Sequence, residues 1–197
     1  MISAARTPDR ASGALALRLR RETADAHARL EAALDLLRAP LQQERFRHVL
    51  ERFHGFHVVW EGTVRRHPGL RAFLEERTRL PHLRRDLAAL GASLDEMEHL
   101  PACLAAADLA GCEAAALGSL YVMEGSTLGG QLISRALAEA DWTPEGGLTY
   151  FNPYGRETGA MWRAFHAFAE ARLPEATHGT AIVGARRTFE VLEAWIA

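Results

Sequence analysis

Apolar residues recur at intervals of three and four along most of this chain of 197 residues, which is the spacing of one face of an α-helix. No stretch keeps the alternation of apolar and polar positions that is typical of a half-buried strand. The pattern therefore predicts an all-α protein. Because the chain holds no internal repeat, low-complexity tract or linker, we expect a single domain over residues 1–197, with residues 1–12 flexible.

Prolines and glycines divide this pattern into separate helices. Ser12 is expected to cap the first helix, whose inward stripe ends at Leu37. Gly91 is expected to end a middle helix, and Ser93 to cap a further turn before Pro101. Segment 141–158, which is rich in proline and glycine, is expected to be a long loop. The longer helices are predicted at about 12–37, 42–66, 70–76, 81–90, 111–140, 158–173 and 180–196.

Composition narrows the range of functions. The net charge is −2, so a basic surface for nucleic acid is not expected. No apolar run is long enough to cross a membrane, and the first residues lack the apolar core of a signal peptide. Cys103 and Cys112 match no metal motif or disulfide framework. We therefore expect a cytoplasmic protein with neither nucleic acid nor a membrane as partner.

Three glycines interrupt the helix predicted at 111–140. Each of Gly125, Gly129 and Gly130 should cost about 1 kcal/mol relative to alanine inside a helix, so a compensating gain is expected. Gly125 and Gly129 are four residues apart and share one face, which would be a bare strip of main chain. Such a strip can lie against a flat ligand. Spacing alone is equally compatible with close packing of another helix.

His27 is the first candidate ligand for a metal or cofactor. Glu31 follows at i+4, where its carboxylate can accept a hydrogen bond from the ring and fix its tautomer. Arg20 lies two turns earlier on the same face, where its charge could bind an anionic group. The simpler interpretation is a surface ion pair on a helix.

Two Glu-x-x-His pairs raise a different possibility. Glu51 with His54, and Glu96 with His99, have the spacing found in di-iron carboxylate bundles. Such a site also needs carboxylates from two further helices. The second pair lies just before Pro101, an unsuitable place for a core ligand, so surface or packing roles are the alternative.

The two candidate segments also resemble one known family. Residues 124–131, Glu-Gly-Ser-Thr-Leu-Gly-Gly-Gln, resemble the distal helix of heme oxygenases, and residues 20–31 resemble the proximal helix. The resemblance is greatest to bacterial members associated with bacteriophytochromes. It implies a single-domain helical bundle with heme between a proximal helix and a kinked distal helix.

The resemblance also assigns roles to individual residues. It implies that His27 is the axial ligand of the heme iron and that Glu31 accepts a hydrogen bond from the second ring N–H of His27. It also implies that Arg20 and Arg163 bind the heme propionates. The remaining heme contacts that it implies are Tyr121, Gly125, Gly129 and Gly130.

The implied activity is oxidative cleavage of heme. Heme b would be both cofactor and substrate, and would be converted to biliverdin, carbon monoxide and ferrous iron by dioxygen and electrons from a reductase or ferredoxin-type donor. A bacteriophytochrome would accept the biliverdin. Gly125, Ser126 and Gly129 are assigned to catalysis, although Ser126 stands where many members have an aspartate that organises proton delivery. That departure keeps open a heme carrier without turnover.

Overall fold

The computed structural model describes residues 13–37 and 40–196, and these residues contain helices and no strand. The prediction of an all-α fold is therefore confirmed. The predicted flexibility of residues 1–12 and the cap at Ser12 lie outside the described residues. The α-helices are α1 (Ala14–Glu22), α2 (Ala24–Leu34), α3 (Gln43–Val64), α4 (Pro68–Glu75), α5 (Leu80–Ala89), α6 (Leu94–Glu98), α7 (Glu113–Ala138), α8 (Thr158–Arg172) and α9 (His178–Ile196). Short 3₁₀ turns occupy Leu104–Ala110, Gly155–Glu157 and Glu175–Thr177.

The first predicted helix is broken in two, so a continuous helix over 12–37 was wrong. Thr23 leaves helical geometry, with φ −114° and ψ 1°, and its hydroxyl donates to the carbonyl of Leu19 at 2.7 Å. A threonine hydroxyl that donates to the carbonyl four residues earlier competes with the backbone hydrogen bonds of the helix and can bend it. α2 ends before Asp35, which has φ 50°, and Leu37 is 60% exposed rather than buried.

The glycine-bearing helix α7 packs most closely on α9. A Cβ atom on Gly118 would stand 1.8 Å from the carbonyl oxygen of Ala181, and one on Gly184 would stand 2.5 Å from that of Ala115. These two glycines let the backbones of α7 and α9 touch, as small residues do where helices approach closely. Along Glu113–Ala138 the backbone is one α-helix, and the kink expected in it stays a prediction.

The core lies between α3, α7 and α9. The apolar face of α3 is buried, including Phe46, Leu50 and Trp60. The Trp60 indole N–H donates to the Ser119 hydroxyl at 2.7 Å, so this aromatic ring joins α3 to α7 with its polar atom satisfied. No helix in the described part of the chain is long and apolar enough to cross a membrane.

The long loop after α7 is fastened to α5. One carboxylate oxygen of Asp86 accepts from the backbone N–H groups of Thr149 and Tyr150, each at 2.7 Å. Asp86 itself is fully buried, so these bonds compensate for its loss of water. The loop predicted at 141–158 therefore has a fixed path that leads into α8.

Candidate functional site

Three helical elements meet around Tyr121 on α7. Its ring packs against Trp162 of α8, with the ring centroids 5.5 Å apart. Burial raises the pKa of the Tyr121 hydroxyl, while a hydrogen bond shared with Thr23 and the charge of Arg20 act in the opposite direction. Tyr121 therefore joins the break between α1 and α2 to the middle of α7 and to α8.

His27 lies one turn beyond Thr23 and presents an exposed ring. Its backbone N–H donates to the Thr23 carbonyl at 2.9 Å, and its side chain is 52% exposed. Nδ1 lies 3.7 Å from a carboxylate oxygen of Glu31, and the ring meets Phe189 of α9 edge-on at 5.7 Å. No described residue bonds to Nε2, so this nitrogen is available to a metal ion while Nδ1 faces a carboxylate.

Gly125 lies one turn beyond Tyr121, and Gly129 one turn beyond Gly125. A Cβ atom at residue 125 would lie 3.6 Å from Trp162 Cη2, an ordinary van der Waals contact. At Gly129 no described atom outside its own stretch of helix would come within 4 Å. The bare strip predicted from spacing is therefore covered by an indole at one end and open at the other.

Gly130 does not belong to this strip. A Cβ atom there would stand 1.8 Å from the carbonyl oxygen of Phe151, so the glycine lets the loop backbone lie against α7. It is buried, while Gly129 is exposed. Consecutive helix residues point about 100° apart, so Gly130 presents a different side of α7 from Gly129, and its contact with heme stays a prediction.

Ser126 faces solvent, but its hydroxyl proton is already engaged in a hydrogen bond. The hydroxyl donates to the carbonyl of Met123 at 2.7 Å, one turn earlier on α7. Its oxygen lone pairs remain able to accept a hydrogen bond from water. Ser126 in this rotamer can therefore hold a water molecule as an acceptor and cannot itself donate to a ligand.

The two predicted anion-binding arginines are exposed. Arg20 lies close enough to Tyr121 for its charge to affect that hydroxyl. Arg163 begins the second turn of α8, and its Nη1 lies 3.5 Å from the position of a Cβ on Gly159. Neither guanidinium has an ion-pair partner among the described residues, so both charges are available to an anionic ligand edge.

A buried charged network, which sequence analysis did not identify, holds α7 just before Gly125. Glu124 has a side chain only 2% exposed and lies 3.3 Å from Arg77 Nε and 3.3 Å from Arg79 Nη2. The Tyr154 hydroxyl donates to the same carboxylate at 2.9 Å. Burial and the adjacent Glu124 carboxylate raise the pKa of Tyr154, opposed by the arginine charges, so it stays a donor. The network joins the segment after α4 and the loop before α8 to the glycine strip.

A second buried network supports α3. His57 Nδ1 lies 3.1 Å from a Glu61 carboxylate oxygen, and Nε2 lies 3.1 Å from the Tyr150 hydroxyl. Burial favours the neutral acid at Glu61, but hydrogen bonds from His57, Thr78 and the Arg79 N–H lower the pKa of Glu61 to about 2. Both side chains of the pair are fully buried, so the network is part of the core rather than of the open strip.

The two Glu-x-x-His pairs do not form a metal site. Glu51 and Glu96 both pair with Arg47, at 2.8 Å and 3.6 Å, so a guanidinium occupies the space between them. His99 bonds to the Asp95 carbonyl of its own turn. In the described ranges no three His, Cys, Asp or Glu side chains come together as ligands, which gives the di-iron hypothesis no support.

The site has the parts that a heme requires. A porphyrin needs one strong axial ligand, a close flat surface on the opposite face and cations for its propionates. His27 supplies an exposed imidazole backed by Glu31, and Gly129 supplies main chain with open space above it. Arg20 supplies an exposed positive charge. The chemistry of these residues, taken singly, fits heme as a ligand.

A helical bundle with an exposed imidazole on one short helix and bare main chain on a long helix is compatible with the class of helical heme-binding proteins. Comparison with known families is more specific. The sequence profile described as heme oxygenase matches residues 13–197. The chain belongs to the heme oxygenase family.

Individual relatives agree with this assignment. A heme oxygenase from Xanthomonas campestris pv. campestris (strain 8004) is 40% identical over 114 residues, covering 57% of this chain and 64% of that protein. The fold is similar to that of heme oxygenase from Leptospira interrogans, with a TM-score of 0.77 at 18% identity over 93% of this chain and 98% of that one. It is also similar to heme oxygenase-2 from Synechocystis sp. PCC 6803, solved with heme and NO, with a TM-score of 0.77 at 20% identity over 93% of this chain and 84% of that one.

Proposed function

We propose that this protein cleaves heme to biliverdin, with release of carbon monoxide and ferrous iron. The observation that carries the proposal is the combination, in a member of this family, of an exposed imidazole at His27 and an open strip of main chain at Gly129. Bound heme supplies the redox-active iron and the ring that is oxidised. Dioxygen and electrons come from outside the chain, the latter from a reductase or ferredoxin-type donor.

His27 is the proposed axial ligand, through Nε2. The Glu31 carboxylate lies 3.7 Å from Nδ1, too far for a hydrogen bond in this conformation. A small rotation of either exposed side chain would let it accept from Nδ1 and set the tautomer, as a carboxylate commonly does for a ligating histidine. The edge-on contact with Phe189 fixes the plane of the ring. Together these neighbours would orient the imidazole for binding.

Gly129 and Gly125 are proposed to limit the space above the opposite face. Main chain without side chains can approach the ring plane closely and exclude bulk water from it. Because the Ser126 hydroxyl donates to the Met123 carbonyl, Ser126 would act only as an acceptor. Protons would then reach the site through a water molecule that donates a hydrogen bond to Ser126. Arg20 and Arg163 are proposed to bind the propionates and so decide which edge of the ring faces the reacting oxygen.

The product is proposed to serve a bacteriophytochrome as its chromophore. This part rests on the resemblance of the segment 124–131 to the members associated with those receptors. Addition of the apo-receptor to the completed reaction should give its bilin absorption, while no absorption would leave biliverdin for another use.

A heme titration followed by single turnover in air tests the proposal. Purified protein with one equivalent of hemin should give an imidazole-type Soret band, and a reductant in air should remove that band and yield biliverdin by chromatography. A Soret band that survives these conditions would select the heme carrier instead. Absence of any heme binding would exclude both functions.

Variants of two histidines test which side chain binds the heme iron. His27→Ala should change the heme spectrum and lower turnover at least about tenfold, because the axial bond is lost. His99→Ala is the matched control, since His99 is also an exposed helix-end histidine beside an acidic residue. It should behave like the parent. A parent-like spectrum in His27→Ala would show that the axial assignment is wrong.

A further inference from the structure

A groove separate from the heme site lies between α3, α5 and α6. It has a volume of about 400 Å³ and is lined by residues that include His54, Val58, Arg84, Leu94, Met97 and Glu98. Sites for small organic ligands are typically about 300–1,000 Å³. The groove shares no residue with the His27 and Gly129 site, so the inference does not depend on the proposed function.

His54 is the unusual residue of this groove. It is only 5% exposed, and neither ring nitrogen has a hydrogen-bond partner among the described residues. Buried polar atoms are almost always paired, because an unpaired one loses its bonds to water without replacement. His57, one turn further along α3, shows the usual arrangement, with both nitrogens bonded to Glu61 and Tyr150. His54 therefore gains from any ligand that offers a partner.

Arg84 supplies a charge beside this ring. It is exposed and has no ion-pair or hydrogen-bond partner in the part of the chain that the structure describes. Burial, followed by the charges of Arg84 and His57, lowers the pKa of His54, so the ring is neutral near pH 7. A neutral imidazole has one donor and one acceptor nitrogen. The groove therefore has an exposed cation on its wall and, just beneath its surface, a ring that carries an unpartnered N–H.

The remaining walls decide the shape and charge of the ligand. Val58 and Leu94 are 43% and 75% exposed, although both are large apolar residues, and Met97, which also lines the groove, is buried. An apolar ligand body would cover these side chains and remove them from water. Glu98 on the rim would repel further negative charge, so a ligand with a single anionic group is favoured.

We propose that this groove binds a small organic monocarboxylate with an apolar body. The carboxylate pairs with Arg84 and accepts from the His54 ring N–H, while the apolar body packs on Val58 and Leu94. Because both ring nitrogens of His54 lie below the surface, binding turns the ring about its Cβ–Cγ bond toward the groove. The ligand replaces the hydrogen bonds that the ring lacks.

Benzoate is a suitable probe, and nuclear magnetic resonance of the imidazole nitrogens is the readout. The chain has nine histidines, and the signal of His54 is assigned by its loss in His54→Gln. In the full-length protein without hemin, millimolar benzoate should shift the His54 signal to saturation. Benzyl alcohol has the same apolar body without the charge and should bind at least about tenfold more weakly.

Two arginine variants separate a specific site from general attraction of anions. Arg84→Ala should weaken benzoate binding at least about tenfold, because the charged partner is removed. Arg85→Ala is the matched control, since Arg85 is also exposed on α5 but bonds to the Gly146 carbonyl. It should change the affinity less than about twofold. An unmoved His54 signal, or equal affinities in the parent and Arg84→Ala, would overturn the proposal.

Discussion

The indole of Trp162 covers Gly125, with its Cη2 atom 3.6 Å from the position that a Cβ on residue 125 would take. The same indole stacks on Phe165 and meets His166 edge-on at 4.2 Å. Trp162 is therefore held by its own helix and closes one end of the glycine strip. The open part of that strip is at Gly129, one turn further along α7.

Substitution of Gly129 should separate folding from heme binding. Gly129→Ala should leave the free energy of unfolding unchanged or raise it by up to about 1 kcal/mol, because alanine favours the helix and the methyl meets no described atom. Heme affinity should fall about tenfold, since the methyl occupies the space proposed for the porphyrin. Urea denaturation and hemin titration measure the two quantities.

Gly62→Ala is the control for this variant. Gly62 is also inside a helix, and a Cβ there would have no described atom within 4 Å. It should gain stability like Gly129→Ala and bind hemin like the parent. Unchanged hemin affinity in Gly129→Ala would remove this residue from the proposed site.

Gly130→Ala should behave in the opposite way. Its methyl would stand 1.8 Å from the Phe151 carbonyl oxygen, which belongs to backbone and cannot rotate aside. The loop would have to move away from α7, at a cost of about 1–3 kcal/mol. Urea unfolding should show the loss in the apo-protein, without any heme present. A parent-like stability would mean that the loop does not pack here.

The buried charge of Glu124 should be important for stability. Glu124→Ala leaves Arg77 and Arg79 buried without their carboxylate, which costs about 3–5 kcal/mol for a pair of this kind. Glu113→Ala is the comparison, because Glu113 pairs with Arg172 at 2.7 Å on the surface and should contribute less than about 1 kcal/mol. Equal losses in the two variants would contradict the account of this network.

Acid should destabilise the fold through Glu61. Its pKa is lowered from 4.5 to about 2, so the folded state holds the carboxylate charged where the unfolded chain would bind a proton. The lowered pKa adds about 3 kcal/mol to the free energy of unfolding above pH 4.5, and this contribution is lost as the pH falls from there toward 2. Glu61→Gln should flatten the fall in stability over this range. An identical pH profile in the parent and the variant would show that other groups cause it.

Much of the fold follows from local pattern. The helices at 42–66, 111–140 and 180–196 were predicted close to α3, α7 and α9, because each carries an unbroken apolar face between clear breakers. Ser93 was predicted as a cap and forms a full capping box with Glu96. These features depend on residues within a few positions of each other, which the sequence shows directly.

The features that were missed depend on distant residues. The break at Thr23 could not be read from helix pattern, because Thr23 fits the inward stripe and its junction is joined to Tyr121 on α7. Glu124 lies within the segment 124–131, but its partners Arg77 and Arg79 come from a turn about 45 residues earlier, which no local pattern reveals. Gly125, Gly129 and Gly130 look alike in sequence, and only the position of the Phe151 backbone separates Gly130 from Gly129.

The glycines of α7 therefore have two different roles on different sides of the helix. Gly118 and Gly130 let α9 and the loop lie against the backbone of α7, while Gly129 leaves that backbone uncovered on another side. An inserted or deleted residue between Gly118 and Gly129 would turn Gly118 relative to both Gly129 and Gly130 by about 100°. The number of residues in this stretch is consequently as constrained as their identity, and natural length variation should be confined to the segments on either side of it.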